Sequence, residues 1–367
     1  MRFTILHTES SCGWGGQELR VLTEAQGMLR RGHEVHLVCP RQAPLYAAAL
    51  RDQIPVTALP IGDKQLRALY ALATWLSRNR GFQIINTHSS TDAWLVAMAQ
   101  KLVRWTGTVV RTRHVSTPVS RNLTTQWLYK RATAHVVTTG EALRQTLHRE
   151  NGLALAHMTS VPTGVDLDRF LRGDPAQARA ELSLAHDRRF LGIVATLRNW
   201  KGHAYLLDSF RQLADAWKDW DLLIIGDGPQ RQNLSRRIRE LGLDARVLMV
   251  GNQDNVPRWL QALDLFVLPS YGCEGVPQSI VQAMACGLAV VSTTVGAIDE
   301  AVVHEQTGLL VPPRATNDLT AALTRLMNDP ELRARYGEAG ARRARERFGI
   351  DAMLVAMEQV YAHVVHQ

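Results

Sequence analysis

The chain has 367 residues, 46% of them hydrophobic and 21% charged, a balance that suits a globular protein with enough length for two cores, and no apolar run approaches the roughly 18 residues a membrane span needs. Four cysteines (Cys12, Cys39, Cys273 and Cys286) show neither C-x-x-C nor zinc spacing, which argues against a disulfide scaffold or a zinc fold and fits reduced thiols packed as small hydrophobes in a cytosol. The formal net charge of +8 lies in the first half, with 19 Lys and Arg against 11 Asp and Glu up to Asp168 and 23 against 23 afterwards, a one-sidedness that suits an anionic partner.

In chain order, short apolar runs alternate with helical periods. The opening "MRFTILHTES" is too short for a signal h-region and reads as a first strand, "FTILHT". A helix over 17–31 follows, with Leu19, Leu22, Ala25, Met28 and Leu29 on its apolar face and Gly32 closing it. Further strands are expected at "EVHLVC", "VTAL", "QIINTH", "TVVRTR", "AHVVTT" and "MTSVP". The rhythm restarts at "FLGIVAT" and continues through "DLLIIG", "RVLMVG", "DLFVLP" and "LAVVST". Strand–helix alternation with uniformly apolar strands predicts parallel sheets covered on both faces, and two series predict two doubly wound α/β domains. The break falls at "VPTGVDLDRF" (161–170), whose Pro and Gly mark a hinge, giving expected domains of 1–166 and 167–349. A last helix over 350–367 carries Met353, Leu354, Met357, Val360, Tyr361 and Val364 on one face, so it must pack on something, here expected to be the first domain.

Ligands of open parallel sheets bind beyond the carboxyl ends of the strands, and three loops there carry candidate chemistry. In "SSCGWGGQELR", Gly13, Gly15 and Gly16 free the backbone ahead of a helix N-terminus, without the G-x-G-x-x-G spacing of nicotinamide binding. In "ATLRNWKGH", Arg198 and Lys201 precede a helix and suit a diphosphate, one as a planar fork and one as a point charge. In "YGCEGVPQSIVQAMACG", Glu274 stands just before a helix opened by Pro277 and closed by Gly287, with Gln278, Ser279 and Gln282 on one face. The D-x-D of Asp166 and Asp168 lies in the hinge and reads as a linker or helix cap, not a metal site.

With these loops in place, the stretches "GDGPQRQNLSRRIRELGLDARVLMVG", "VPRWLQALDLFVLPS" and "EGVPQSIVQAMACGLAVVSTTVGAIDEAVVHEQTGLLVPP" resemble the second domain of retaining GT-B glycosyltransferases of family 4. The runs "GGQELRVLTEAQGMLRRGHEV" and "VPTGVDLDRF" resemble the same family, and the similarity is weakest over 40–82. It implies GT-B architecture, two Rossmann-like domains whose sheets face across a cleft, the first binding the acceptor and the second a nucleotide-sugar donor. The family's Glu-x7-Glu motif falls on Glu274, the residue over the donor sugar, and on Gln282, where an amide replaces the ribose-binding carboxylate. That exchange keeps an acceptor and a donor but loses charge assistance, about 1 kcal/mol or somewhat more of binding.

The usual Gly-Arg-Leu reads Ala195-Thr196-Leu197, so Arg198 is expected to supply the guanidinium, with Lys201 in the family's Lys position. The resemblance implies donor contacts from Gly16, Gly275, Val276 and Gln278. His114 takes the place of a family histidine that touches the donor sugar, and acceptor-side candidates are Gly15, His88 and Arg113.

The implied activity is retaining, metal-independent transfer from a UDP-sugar, or a GDP- or ADP-sugar, to a hydroxyl of a glycan or glycolipid in lipopolysaccharide or other cell-surface polysaccharide synthesis. No cofactor and no nucleic acid are expected. The location would be cytoplasmic, peripheral on an anionic inner membrane, with Trp75, Trp105 and Trp127 as interfacial or core residues. Two competing readings are a nucleotide-sugar 2-epimerase, which would turn over without acceptor, and a non-catalytic nucleotide-sugar or glycan-binding protein.

Overall fold

The computed structural model describes residues 1–114, 118–272 and 274–366, and divides into two compact units, residues 1–164 with 350–367, and residues 165–349. In the first unit the strands are β1 (Thr4–Thr8), β2 (Glu34–Cys39), β3 (Val56–Ala58), β4 (Ile84–Thr87), β5 (Thr108–Arg113), β6 (His135–Thr138) and β7 (Met158–Ser160). They form one sheet in the order β3-β2-β1-β4-β5-β6-β7, every pair parallel. The second unit holds β8 (Arg189–Val194), β9 (Trp220–Ile225), β10 (Val247–Gly251), β11 (Leu265–Leu268), β12 (Val290–Thr293) and β13 (Gly308–Val311), in the order β10-β9-β8-β11-β12-β13 and again all parallel. Both sheets reverse their winding once, between β1 and β4 and between β8 and β11. Those switch points are where an open α/β sheet leaves a crevice for ligands.

Alternation along β1 explains the layers. Ile5 packs in one apolar cluster with the helix Gly16–Arg30, and Leu6 packs in another with the helices Leu66–Arg78 and Ser90–Leu102, so both faces are covered. The helix Ile350–Val365 buries Met353, Leu354, Met357, Val360, Tyr361 and Val364 in the first of these clusters, against Val21, Ala25 and Met28. Gly27 suits that close approach, since a Cβ there would lie 2.5 Å from a methyl of Leu354 and that side chain would have to shift.

Three expectations need correction. The helix Gly16–Arg30 exposes Leu19 and instead buries Arg20 and Glu24 together with Val21, Leu22, Ala25 and Met28, because the two charges pair with each other and leave the apolar stripe unbroken. The strand β13 is absent from the sequence reading, its run "GLLV" being only four residues long. Cys39 and Cys286 are buried but Cys12 is exposed, and Cys273 lies outside the described residues. Of the two alternatives for the tryptophans the structure shows packing: Trp105 is buried, Trp75 packs with it in the same cluster, and Trp127, half-buried, stacks on Trp94 with Lys101 over its ring. No helix among the described residues is long and apolar enough to cross a membrane.

Candidate active site

At the second switch point the chain leaves β8 through Ala195-Thr196-Leu197, makes a single 3-10 turn over Asn199–Lys201 and enters the helix His203–Ala214. Gly202 at that entry has φ +80, and a Cβ would lie 1.9 Å from the carbonyl oxygen of Pro269 at the end of β11. Only glycine therefore brings the two strand-end loops this close. The Tyr271 N–H donates to the Trp200 carbonyl at 2.8 Å and fixes the same contact.

This approach places Lys201 beside Glu274. The Lys201 ammonium donates to Glu274 Oε1 at 2.6 Å, and the Ser270 hydroxyl donates to the same oxygen at 2.7 Å. The Glu274 side chain is only 7% exposed and that of Lys201 18%, so the pair is partly desolvated. The Glu274 backbone is held from the other side by Gly296, φ +63, whose Cβ would sit 2.0 Å from the Glu274 carbonyl, and by the Ala297 N–H at 3.3 Å.

The helix Gln278–Ala285 starts four residues later. Pro277 is its N-cap, extended at ψ 123, one position earlier than expected, and Gly275 and Val276 lie between it and Glu274. The helix closes as a Schellman turn, Gly287 at φ +81 donating to Met284 and Leu288 donating to Ala283. Gln282 is half-buried one turn beyond Gln278. Arg198 is exposed, its guanidinium 5.2 Å from the centre of the Trp200 ring. The sequence-expected Glu274 and Lys201 thus touch, and Arg198 stands three residues before Lys201 on the same loop. Ser270, Gly296 and the tight Gly202–Pro269 contact were not foreseen. The only sequence signal for Ser270 is its place at the end of the run "LFVLPS".

In the first domain, β1, β4 and β5 end side by side, bringing together His7, His88 and His114. His7 Nδ1 lies 2.9 Å from His88 Nε2, and His88 Nδ1 lies 3.0 Å from His114 Nε2. Burial is the main cause that lowers all three pKa values, helped for His88 by its two histidine neighbours and for His114 by Arg20 and Arg113. His88, taken as an acceptor-side group, has both ring nitrogens occupied and is 3% exposed. Arg113 is buried and donates to the Tyr129 hydroxyl at 3.1 Å. Gly15 is the N-cap and Gly16 the first residue of the helix Gly16–Arg30, both in ordinary extended or helical backbone. The conformation itself therefore does not demand glycine there.

Beside the histidines, Asp92 accepts from the His88 and Ser89 N–H groups and the Thr8 hydroxyl, and its pKa is raised by burial. Glu9 accepts from the Ser11 N–H and Gln17, and burial with the nearby Asp92 pushes it up to about 8. A carboxyl raised from 4.5 to about 8 on folding binds its proton more tightly in the folded chain. Its contribution is therefore full below the unfolded pKa and is lost as pH rises towards 8. The thermal midpoint is expected to fall between pH 5 and 8, and Glu9→Gln to flatten that fall. Equal slopes for the two proteins in a pH series of melts would contradict the assignment. Among the described residues no group of three or more His, Cys, Asp or Glu could hold a metal ion, and Asp166 caps its own turn, accepting from the Asp168 and Arg169 N–H groups.

Two doubly wound parallel domains, the second with a glutamate and a lysine converging at its switch point, define the class as GT-B glycosyltransferases. A glycosyltransferase from Rickettsia africae ESF-5 superposes with a TM-score of 0.88 over 99% of both chains at 19% identity. Anabaena HepE in complex with UDP superposes with 0.86 over 98% of this chain and 100% of that one at 20% identity. Residues 175–343 match the family described as Glycosyl transferases group 1, and residues 14–169 match Glycosyltransferase Family 4. The lipopolysaccharide core biosynthesis mannosyltransferase LpsB of Rhizobium meliloti (strain 1021) is 31% identical over 263 residues, 69% of this chain and 72% of that protein. The chain belongs to this family, and it is a glycosyltransferase that uses a nucleotide-sugar donor.

Proposed function

We propose that the protein is a retaining, metal-independent glycosyltransferase that moves a sugar from a nucleotide-diphosphate sugar, a UDP-sugar first, to a hydroxyl of a glycan or glycolipid. Its place would be lipopolysaccharide or other cell-surface polysaccharide synthesis, peripheral on the cytoplasmic face of the inner membrane. The similarity to LpsB supports the pathway, the basic first half supports an anionic acceptor, and the UDP bound to HepE supports the base.

The observation that carries the chemistry is the Ser270–Glu274–Lys201 cluster. Glu274 takes hydroxyls of the donor sugar. Lys201 keeps one ammonium hydrogen on Glu274 and turns the others to the diphosphate, where Arg198 and the backbone N–H groups of Gly16, Gly275 and Val276 take up the growing charge. Gln278 and Gln282 hold the nucleotide side, and His114 the sugar. The bond from the anomeric carbon to the phosphate oxygen breaks, and the acceptor oxygen bonds that carbon on the same face. The acceptor proton passes to a phosphate oxygen, so no second carboxylate is needed.

A thermal-shift panel of UDP-, GDP- and ADP-sugars, followed by the anomeric configuration of the product by NMR, tests this reading. Inversion at the anomeric carbon, or no stabilisation by any of the donors, overturns it. Restoring the carboxylate with Gln282→Glu is expected to tighten free nucleoside diphosphate by roughly 5-fold, about 1 kcal/mol, without changing the sugar selected. Calorimetry with the diphosphate alone is the check, and a changed sugar preference would contradict the assignment of Gln282 to the ribose.

A further inference from the structure

The three histidines at the ends of β1, β4 and β5 form a single file. Their ring centroids are 5.1 and 5.2 Å apart with interplanar angles of 21° and 32°, and nitrogen meets nitrogen at 2.9 and 3.0 Å. The rings therefore meet edge to edge in a hydrogen-bonded chain. One end is closed: His7 is fully buried and its Nε2 has no hydrogen-bond partner. The other end, His114, is half-buried. Its Nε2 is engaged by His88, which leaves Nδ1 as the ring nitrogen outside the file.

A neutral imidazole has one N–H and one lone pair, so the file can run in only two directions. Running inward, His114 donates to His88 and His88 to His7, and His7 must bury an N–H with nothing to accept it. Running outward, His7 donates to His88 and His88 to His114, and the closed end buries a bare lone pair. An orphaned buried donor is the rarer and costlier of the two. We infer that His7 and His88 are positioning residues that hold His114 as its Nδ1–H tautomer, with Nε2 accepting from His88, so that His114 offers a donor and not an acceptor to a hydroxyl or phosphate oxygen of its ligand. The hydrogen bond on one ring nitrogen sets the tautomer of the other. Burial, which holds all three rings in their uncharged form, is consistent with this. The consequence for transfer rests on His114 facing the donor sugar as proposed above; the tautomer itself does not.

The test uses the full chain with 15N-labelled histidine and two-bond 15N–1H correlation spectra, His114→Gln assigning the resonance among the 13 histidines. The expected spectrum shows His114 with a protonated Nδ1 and a lone-pair Nε2. His88→Leu should average the two nitrogens and lower kcat on the order of tenfold, the equivalent of one net hydrogen bond, with KM little changed. His88→Gln, whose amide oxygen accepts from His7 and whose NH2 donates to His114, should restore the tautomer and most of the lost turnover. If His88→Leu does not fold, His7→Phe removes the inner donor and should produce the same averaging. An Nε2–H tautomer in the unaltered protein overturns the inference, as does a spectrum unchanged in the variants or a lost tautomer with turnover intact. A fixed Nδ1–H tautomer in a protein that turns over no nucleotide sugar would overturn the proposed function alone and leave the histidine file standing.

Discussion

Glu274→Gln is expected to lower turnover of the nucleotide-sugar donor by roughly 10²-fold or more, the scale of removing one preorganised electrostatic group from an active site. The amide oxygen can still accept from Lys201 and Ser270, which donate to one oxygen of the present carboxylate at 2.6 and 2.7 Å. The site should therefore keep its shape. Two things change. The sugar meets an uncharged group where positive charge develops at the anomeric carbon, and the Lys201 ammonium loses its counter-charge and binds the diphosphate in the ground state as strongly as in the transition state. The second effect is uniform binding, which lowers KM and leaves kcat unchanged, so the loss of turnover comes from the first. Gln282→Ala removes a neutral hydrogen bond to the nucleotide, about 1 kcal/mol, and should raise KM by up to about tenfold with kcat nearly unchanged. Release of nucleoside diphosphate under saturating donor separates the two cases. A larger kcat loss in Gln282→Ala than in Glu274→Gln would reverse the assignment of the two positions.

How far the sequence revealed this site depends on which contacts are local. Glu274, Gln278 and Gln282 share one loop and one helix, so their order along the chain is enough to propose them for one ligand, and strand-end position alone brings Arg198 and Lys201 forward. What stayed hidden is held by contacts distant in sequence. The Gly202–Pro269 and Gly296–Glu274 approaches join segments 67 and 22 residues apart, and neither glycine differs locally from a turn or helix cap. The same holds for the histidines. His88 is a lone candidate at a strand end and His114 a lone candidate by resemblance to a family histidine, but their pairing requires the sheet order β1-β4-β5, which periodicity does not provide. His7 lies inside an apolar run, where a polar residue carries no signal until its neighbours are known. The helix Gly16–Arg30 shows the opposite failure: its pattern placed Leu19 inside and left Arg20 and Glu24 outside. A charge pair four residues apart is ordinarily a solvated feature, and only the arrival of the helix Ile350–Val365 makes it a core one.

That buried pair carries a large expected stability effect. Arg20 and Glu24 have side chains with no exposure at all and meet at 3.1 Å. Arg20 also donates to the Val161 carbonyl at 3.0 Å, while Glu24 accepts from the Tyr361 hydroxyl at 2.7 Å, and Asn86 donates to that hydroxyl at 3.0 Å and accepts from Thr112 at 2.9 Å. One network thus ties together the first helix, β4, β5 and the last helix. Arg20→Leu leaves Glu24 as a buried carboxylate without its cation, and should cost about 3–5 kcal/mol, or roughly 6–20 °C in the melting transition. Arg20→Leu with Glu24→Leu removes both charges, and although Tyr361 then loses its acceptor, the double variant should recover part of the loss, since much of the single penalty is the stranded charge and not the absent bond. Thermal melts of the three proteins under identical conditions decide it: a double variant no more stable than the single one, or an Arg20→Leu melt within about 2 °C of the parent, would show that the pair does not carry this cost. Because Arg20 is also among the charges that keep His7, His88 and His114 from protonating, the single variant should raise the pH at which His114 begins to titrate. The ion pair that anchors the last helix to the first domain thereby also sets the electrostatic background of the histidines beside it.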